Sequence, residues 1–375
     1  MPLARDILAK LGRETFVSQR GLAKILEELH SYGGAVPDIC SRRSIKRARD
    51  DELVDVDTAY GKIIRDFEIH AAGCKPVKFE YAHPLALFRH ACDTCDHFRA
   101  AVHAALQKHP SRVSSPWRII IYSDEVLPGN QLKHDNKRKC QAIYWSFVEL
   151  GPVLLSSEYC WFVLAAARSA RVTALEGAMS AFMKHMMLTF FSHPFNISTG
   201  GLIIPGGVIF AKIGVHVSDE SALKHALQMK GAAGHMPCVL CRNVVLRTRL
   251  CDADTSKQLV PLSETVVDKF QQHTDASLRE VADFLSRNSV TANRKNFEAM
   301  QSAVGLNFVP MGLLYCVALA SVFSPISTLM YDWMHVYVVG GVWNVEAGLL
   351  LGVIHENCKL HYLRIHEFVQ QFTWP

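Results

Sequence analysis

Two acids stand where apolar runs stop. Asp124 follows the strand-like stretch WRIIIYS, and Asp219 follows VIFAKIGVHVS. β-branched and aromatic residues fit a covered, pleated surface, so both runs read as strands and both carboxylates as strand-end groups. Carboxylates held a few ångströms apart repel, so such a pair either shares a proton or captures a cation. Hard oxygen donors suit Mg²⁺ or Mn²⁺. Two such ions, roughly 3.5–4 Å apart, can stabilise the attacking and leaving oxygens of an in-line phosphoryl displacement. Water is the nucleophile if a DNA strand is nicked, and a 3′-hydroxyl if strands are joined. The plainer alternatives are a turn-forming Asp124 and an Asp219 that N-caps the helix after it.

A second constellation is thiol-based. Cys238-x-x-Cys241 lies 19 residues beyond Asp219, with Gly234 and Pro237 in the approach. That spacing lets both thiolates reach one tetrahedral Zn²⁺, and two further ligands must come from elsewhere. His335 is one candidate, its alternative being a core histidine. The pair His361-x4-His366 is another, with His355 and Cys358 as competitors. Cys92-x-x-Cys95, between His90 and His97, reads either as another zinc site or as buried cysteines on a helix.

The elements that would position these groups follow from texture. Residues 1 to about 110 read as helical, with RGLAKILEELHSYG closing on Gly33-Gly34. Five basic residues between Arg42 and Arg49 suggest a nuclear-localisation or phosphate-contacting patch, or a solvated linker. From Trp117 three strand candidates follow closely, then the helical ALEGAMSAFMKHMMLTFFSH, a fourth strand and the helix SALKHALQMKG. This β-β-β-α-β-α order is that of a ribonuclease-H-like fold, in which the fourth strand lies beside the first. Asp124 and Asp219, 95 positions apart, are then expected to be spatial neighbours. The run with Lys133, Lys137, Arg138 and Lys139 would sit beside them, as a phosphate contact or an ordinary turn.

Bulk properties set the class. The 375 residues are 49% hydrophobic and 20% charged, a packed chain long enough for two or three domains. A net charge of +5 permits a polyanionic partner without demanding one. Eleven cysteines and 18 histidines, with no apolar h-region at the start, favour reduced thiols, metal ligation and a nuclear or otherwise intracellular protein over a secreted one. The uncharged stretch between Glu298 and Asp332 is bracketed by Pro310 and Pro325. That leaves about 14 residues, short of the roughly 20 that span a bilayer. A buried helix and no membrane partner are expected there.

The chain resembles the DDE/D transposases of the CACTA-like, Plavaka and Kyakuja-Dileera-Zisupton groups. Three landmarks match in order: IIYSDEV, VSDESALKHALQMKGAAGHMPCVLC and YDWMHVYVVGGVWNV. The last looks like the family's D-x-M-H…N-V block, carried by Asp332, Met334, His335, Asn344 and Val345, and the resemblance covers about residues 115–355. It implies a DNA nuclease and strand-transferase acting on transposon ends and target DNA, and allows a homo-oligomer. Asp124 and Asp219 become the first two metal-binding acids, with two Mg²⁺ or Mn²⁺ ions. Cys238 and Cys241 become structural zinc ligands, Asp332 and His335 the D-x-x-H element, and His361 and His366 the remaining zinc ligands. The family's third acid is a Glu on a late helix. We take Glu346 for it, with Glu356 and Glu367 also available, and none has a clear family context. The chain ends nine residues after His366, so a fragment or a decayed copy with an incomplete site is the expectation.

The expected architecture is α/β. A helical N-terminal region covers 1–110, a ribonuclease-H-like mixed-sheet core 111–232, and a zinc-bearing, mainly helical insertion with an incomplete C-terminal part 233–375. The competing function is a non-catalytic DNA- or protein-binding relic that keeps the fold and its zinc.

Overall fold

The structure is a computed structural model that describes residues 19–32, 41, 43–45, 56–71, 73, 75–127, 138–338, 342–359, 361, 363–364 and 366–367. It is mixed α/β. Its main sheet has five strands: β1 (Trp117–Val126), β2 (Cys140–Phe147), β3 (Phe162–Arg168), β4 (Ala211–Ser218) and β5 (Leu329–Tyr331). They lie side by side in the order β5-β4-β1-β2-β3.

Side-chain and backbone bonds give their directions. Arg118 reaches Glu149 while Glu125 meets Lys139, so β1 and β2 run antiparallel. β2 and β3 are antiparallel too, with a bulge between Ile143 and Tyr144. β4 follows β1 in parallel: Trp117 N donates to Phe210 O at one end, and Ser123 Oγ meets Ser218 Oγ at the other. β5 pairs with β4 in parallel.

By contacts the chain forms two compact units. The first comprises Met1–Ile121, Glu125–Gly214 and Cys316–Phe323, and the second Tyr122–Asp124, Val215–Tyr315 and Ser324–Pro375.

In the first unit α1 (Gln19–Ser31), α2 (Pro84–Thr94), α3 (Asp96–Lys108) and α4 (Ala178–Leu188) accompany the strands. Phe88 of α2 is fully buried and touches Trp145, Phe147 and Phe162, with ring centroids 5.3–5.9 Å apart. Trp145 also meets Phe190 edge-on at 5.0 Å. Aromatic rings carry the largest apolar area per residue, so this cluster anchors the sheet. Phe88→Ala is expected to cost about 3–5 kcal/mol, because the cavity cannot close among rigid rings. A urea titration measures it.

The expected all-helical N-terminal region is corrected here. Ile64–Ile69 and Val77–Ala82 form an antiparallel hairpin with Phe67 opposite Phe79. These two rings stack at 5.7 Å, and Phe79 is buried against Phe182 of α4. Cross-strand aromatic pairing outweighs the local preference of the charged residues between them. Of the basic run, residues 43–45 are described. Ile45 is buried with Leu22, Ala23 and Leu26, so one turn of the run packs on α1.

The second unit carries α5 (Glu220–Leu227), α6 (Asp275–Thr291), α7 (Arg294–Val304) and α8 (Val342–Cys358). Thr274 and Ser277 form a capping box at the start of α6, and Asp275 there accepts from the backbone N–H groups of Ile326 and Ser327. Gly305 ends α7 at φ +71°, where a Cβ would fall 2.1 Å from the Met236 carbonyl oxygen. Only glycine combines that backbone angle with so close an approach.

The helix expected between Pro310 and Pro325 is also corrected. The segment forms two 3₁₀ turns, Leu313–Tyr315 and Val317–Leu319, with Leu313, Leu319, Val322 and Phe323 buried. Its apolar content reflects burial without helical periodicity. Among the described residues the helix long and apolar enough to cross a membrane is Val336–Cys358.

Candidate acidic site at the strand ends

Strand alternation places the acids. Along β1, Ile119, Ile121 and Ser123 are buried on one face, while Tyr122 and Asp124 turn to the other. Along β4, His216 and Ser218 are buried and Asp219 is the next residue out. Ser123 and Ser218 share a hydrogen bond in the interior, which levels the ends of β1 and β4. In the β4–β5 register Ser218 faces Tyr331, and the backbone N–H of Asp332 donates to Ser218 O at 2.9 Å. Asp124, Asp219 and Asp332 thus each follow the last levelled residue of three neighbouring parallel strands. The carboxyl ends of parallel strands are where open α/β sheets bind ligands.

Tyr122 is the group the three acids share. Its hydroxyl donates to Asp124 Oδ2 at 3.3 Å. The phenol is held above its ordinary pKa, first by burial, then by the negative charges of Asp124 and Asp332, the hydrogen bond to Asp124 and the charge of Asp219. Each carboxylate also has local work. Asp219 Oδ1 caps α5 by accepting from Ala222 N, so the capping alternative holds for that oxygen. Asp332 Oδ1 accepts from Met334 N at 2.9 Å. Among the described residues, no three His, Cys, Asp or Glu side chains stand close enough to hold an ion as they are. The charges of all three acids act on one phenol, and Asp124 is hydrogen-bonded to it.

The other candidate acids lie elsewhere in their contacts. Glu346, exposed on α8, accepts from the Tyr337 hydroxyl at 3.2 Å and pushes that phenol up. Glu356 is exposed, and Glu367 lies 3.8 Å from Arg364. None of them acts on Tyr122. Lys133 and Lys137 fall outside the described residues. Arg138 is exposed, whereas Lys139 is paired with Glu125 at 2.6 Å.

The thiols do converge. Cys238 and Cys241 are hydrogen-bonded through their side chains, and the Cys241 thiol is pushed up to about 12 by burial and then by Cys238. Backbone contacts shape the loop around them: Cys241 bridges to Gln272, and His273 N donates to Leu240 O at 2.8 Å. Both thiols act on the Tyr331 phenol, the neighbour of Asp332. His361 and His366 are exposed, with the His361 ring 5.5 Å from that of His355, and they do not join the thiols in a metal-holding group. The backbone of His335 lies in the π-helical turn Met334–Val338, and its side chain is outside the described set. Of the second pair, Cys92 is fully buried on α2 and its thiol is pushed up to about 12, chiefly by burial. Cys95 caps α3 by accepting from Phe98 N. The buried-cysteine alternative describes Cys92.

Two functional candidates escape a reading by motif alone, Tyr122 and the placement of Asp332 beside the pair. A signal for the levelled ends was present: the tripeptide Ser-Asp-Glu recurs at 123–125 and 218–220. No protein-family model matches the chain, and no curated protein matches it.

Proposed function

We propose that this chain is a transposase-derived domain with a ribonuclease-H-like core, acting on DNA by divalent-metal-dependent phosphoryl transfer. One observation carries the reading. Asp124, Asp219 and Asp332 follow the levelled ends of three adjacent parallel strands and act together on one phenol. The sheet order β5-β4-β1-β2-β3, with β1 antiparallel to β2 and parallel to β4, supports the fold.

The donor set fits the chemistry. Three carboxylates offer hard oxygens of the kind Mg²⁺ and Mn²⁺ prefer. Carboxylates without a counter-ion repel, and short Asp side chains can swing together about χ1 and χ2 once that repulsion is relieved. Bound ions would supply charge stabilisation to the entering and leaving oxygens of a phosphodiester. The chain's own contribution is placement. The sheet levels the acids, the α5 cap fixes one oxygen of Asp219, and the Met334 N–H steers Asp332. Cys238 and Cys241 give two of the four ligands of a structural zinc. DNA as partner and the nucleus as compartment follow from the same proposal.

A second reading, a non-catalytic DNA- or protein-binding relic, is favoured by the carboxylates standing apart rather than in a ready cluster. Relaxation of supercoiled plasmid in Mn²⁺ separates the two. Nicking by the wild type, lost in the Asp124→Asn, Asp219→Asn double variant, is the expected result. Equal activity in both proteins leaves only the binding role.

A further inference from the structure

We infer that the apolar face of α8 is where a second copy of this chain docks, the two helices packing across the notch at Gly348 and Gly352 to form a homodimer. The inference uses the second unit alone and is independent of the catalytic reading above.

A hydrophobic helix lies in water. None of the 17 residues of α8 is buried. Together with residues 333–338 before it, the helix shows ten large apolar side chains that are each 40–66% exposed. Side chains of that size leave on the order of 1,000 Å² of apolar surface in solvent, against roughly 300–600 Å² for the largest patch on an ordinary monomer. The patch is continuous and held in shape: the Tyr337 ring lies 6.3 Å from that of Trp343, and its hydroxyl donates to Glu346 at 3.2 Å. A stable interface covers about 800 Å² on each side, so one further copy is enough to bury it. Shape favours the same chain as that copy. Counted from Val345, residues 348, 349, 352 and 353 recur at helical spacing and share one stripe. On it the exposed Leu349 and Val353 stand beside Gly348 and Gly352, where an added Cβ would meet nothing within 4 Å. Knob and notch on a single helix give the self-complementary surface that a twofold interface demands. A bilayer is the poorer match, because the apolar run Val336–Cys358 has Glu346 at its middle, where hydrocarbon makes a carboxylate costly.

The test is the molar mass of the full chain across micromolar concentrations, read by sedimentation equilibrium. The wild type is expected to be a dimer. Leu349→Lys, at an exposed position, is expected to raise the dissociation constant by about tenfold or more while the circular dichroism stays unchanged. Gly352→Leu fills the notch, in space that is open in the single chain, and is expected to weaken pairing while raising helix content. That opposite movement of pairing and helix decides the matter even if the lysine variant folds poorly. A wild type that stays monomeric, or a dimer that neither substitution loosens, overturns the proposal. So does a monomeric chain that floats with phosphatidylcholine vesicles, which would give the face to a lipid surface instead.

Discussion

Asp332→Asn is expected to remove Mn²⁺-dependent plasmid nicking as completely as Asp124→Asn, whereas Glu346→Gln leaves the rate nearly unchanged. The contrast follows from contacts. Asp332 is tied to Ser218 O through its backbone and acts on the Tyr122 phenol, while Glu346 is engaged with Tyr337 on an exposed helix. Removing one charged group that stabilises a transition state typically costs on the order of 10²–10³ in rate. Members of one catalytic unit are also far from additive, so the Asp124→Asn, Asp332→Asn double variant should be no slower than either single one. Initial rates of conversion from supercoiled to open-circle plasmid give the comparison. A Glu346→Gln protein that loses activity while Asp332→Asn keeps it reverses the assignment.

Acid is expected to unfold the protein in a window that belongs to histidine. His83 is pushed down to about 3 and His216 to about 4, His216 by burial and His83 by burial and then Arg65. His185 falls to about 4 through burial and then the charge of Lys184. In the unfolded chain each titrates near 6.5. Above that value all three are neutral in both states and their contribution is complete. As pH falls below about 6.5 the unfolded chain takes up protons that the native state refuses, so stability drops by up to about 1.4 kcal/mol per pH unit per group. The loss levels off once pH passes the native values near 3 to 4. Over the window the three sites sum to on the order of 10 kcal/mol at most, comparable to the whole stability of an ordinary domain. Depressed carboxylates such as Glu125 and Asp275 act only lower down, because their stabilisation is present above their unfolded values and fades below about pH 4.5. The histidines also have structural work: His83 Nδ1 accepts from Ala86 N to cap α2, which a protonated ring cannot do. Urea midpoints between pH 7 and 4.5 are expected to fall steeply in the wild type and to flatten in a His83→Asn, His216→Gln variant. Parallel slopes in the two proteins would refute the account.

Much of the sheet is legible in the primary structure because its strands are concentrated runs of β-branched and aromatic residues. Trp117–Val126, Cys140–Phe147 and Phe162–Arg168 need no tertiary information, and neither does the placement of Asp219 just past a strand, whereas Asp124 lies inside β1, two residues before its end. The fourth strand is legible too, although its expected first residues, Val208 and Ile209, instead close a hairpin with Leu202–Ile204. The hairpin at 64–82 is hidden because its decisive contact, Phe67 on Phe79, exists only once the strands pair. Segment 311–323 misleads because hydrophobicity without period distinguishes buried from exposed, and not helix from turn. Asp332 gains its place from the β4–β5 register, a pairing between residues 113 apart that no local pattern encodes. The expected zinc histidines rested on spacing and on the family resemblance, and an i, i+5 pair can satisfy spacing while both rings face solvent.

Gly305 ties the thiol loop to α7 through an atom-sized gap. Met236, two residues before Cys238, rests its carbonyl where any other residue would carry a methyl. The loop's seat is therefore written at a position 69 residues downstream, outside the cysteine pattern itself. A graft that copied the cysteines and their spacing into another scaffold would carry the words without the grammar.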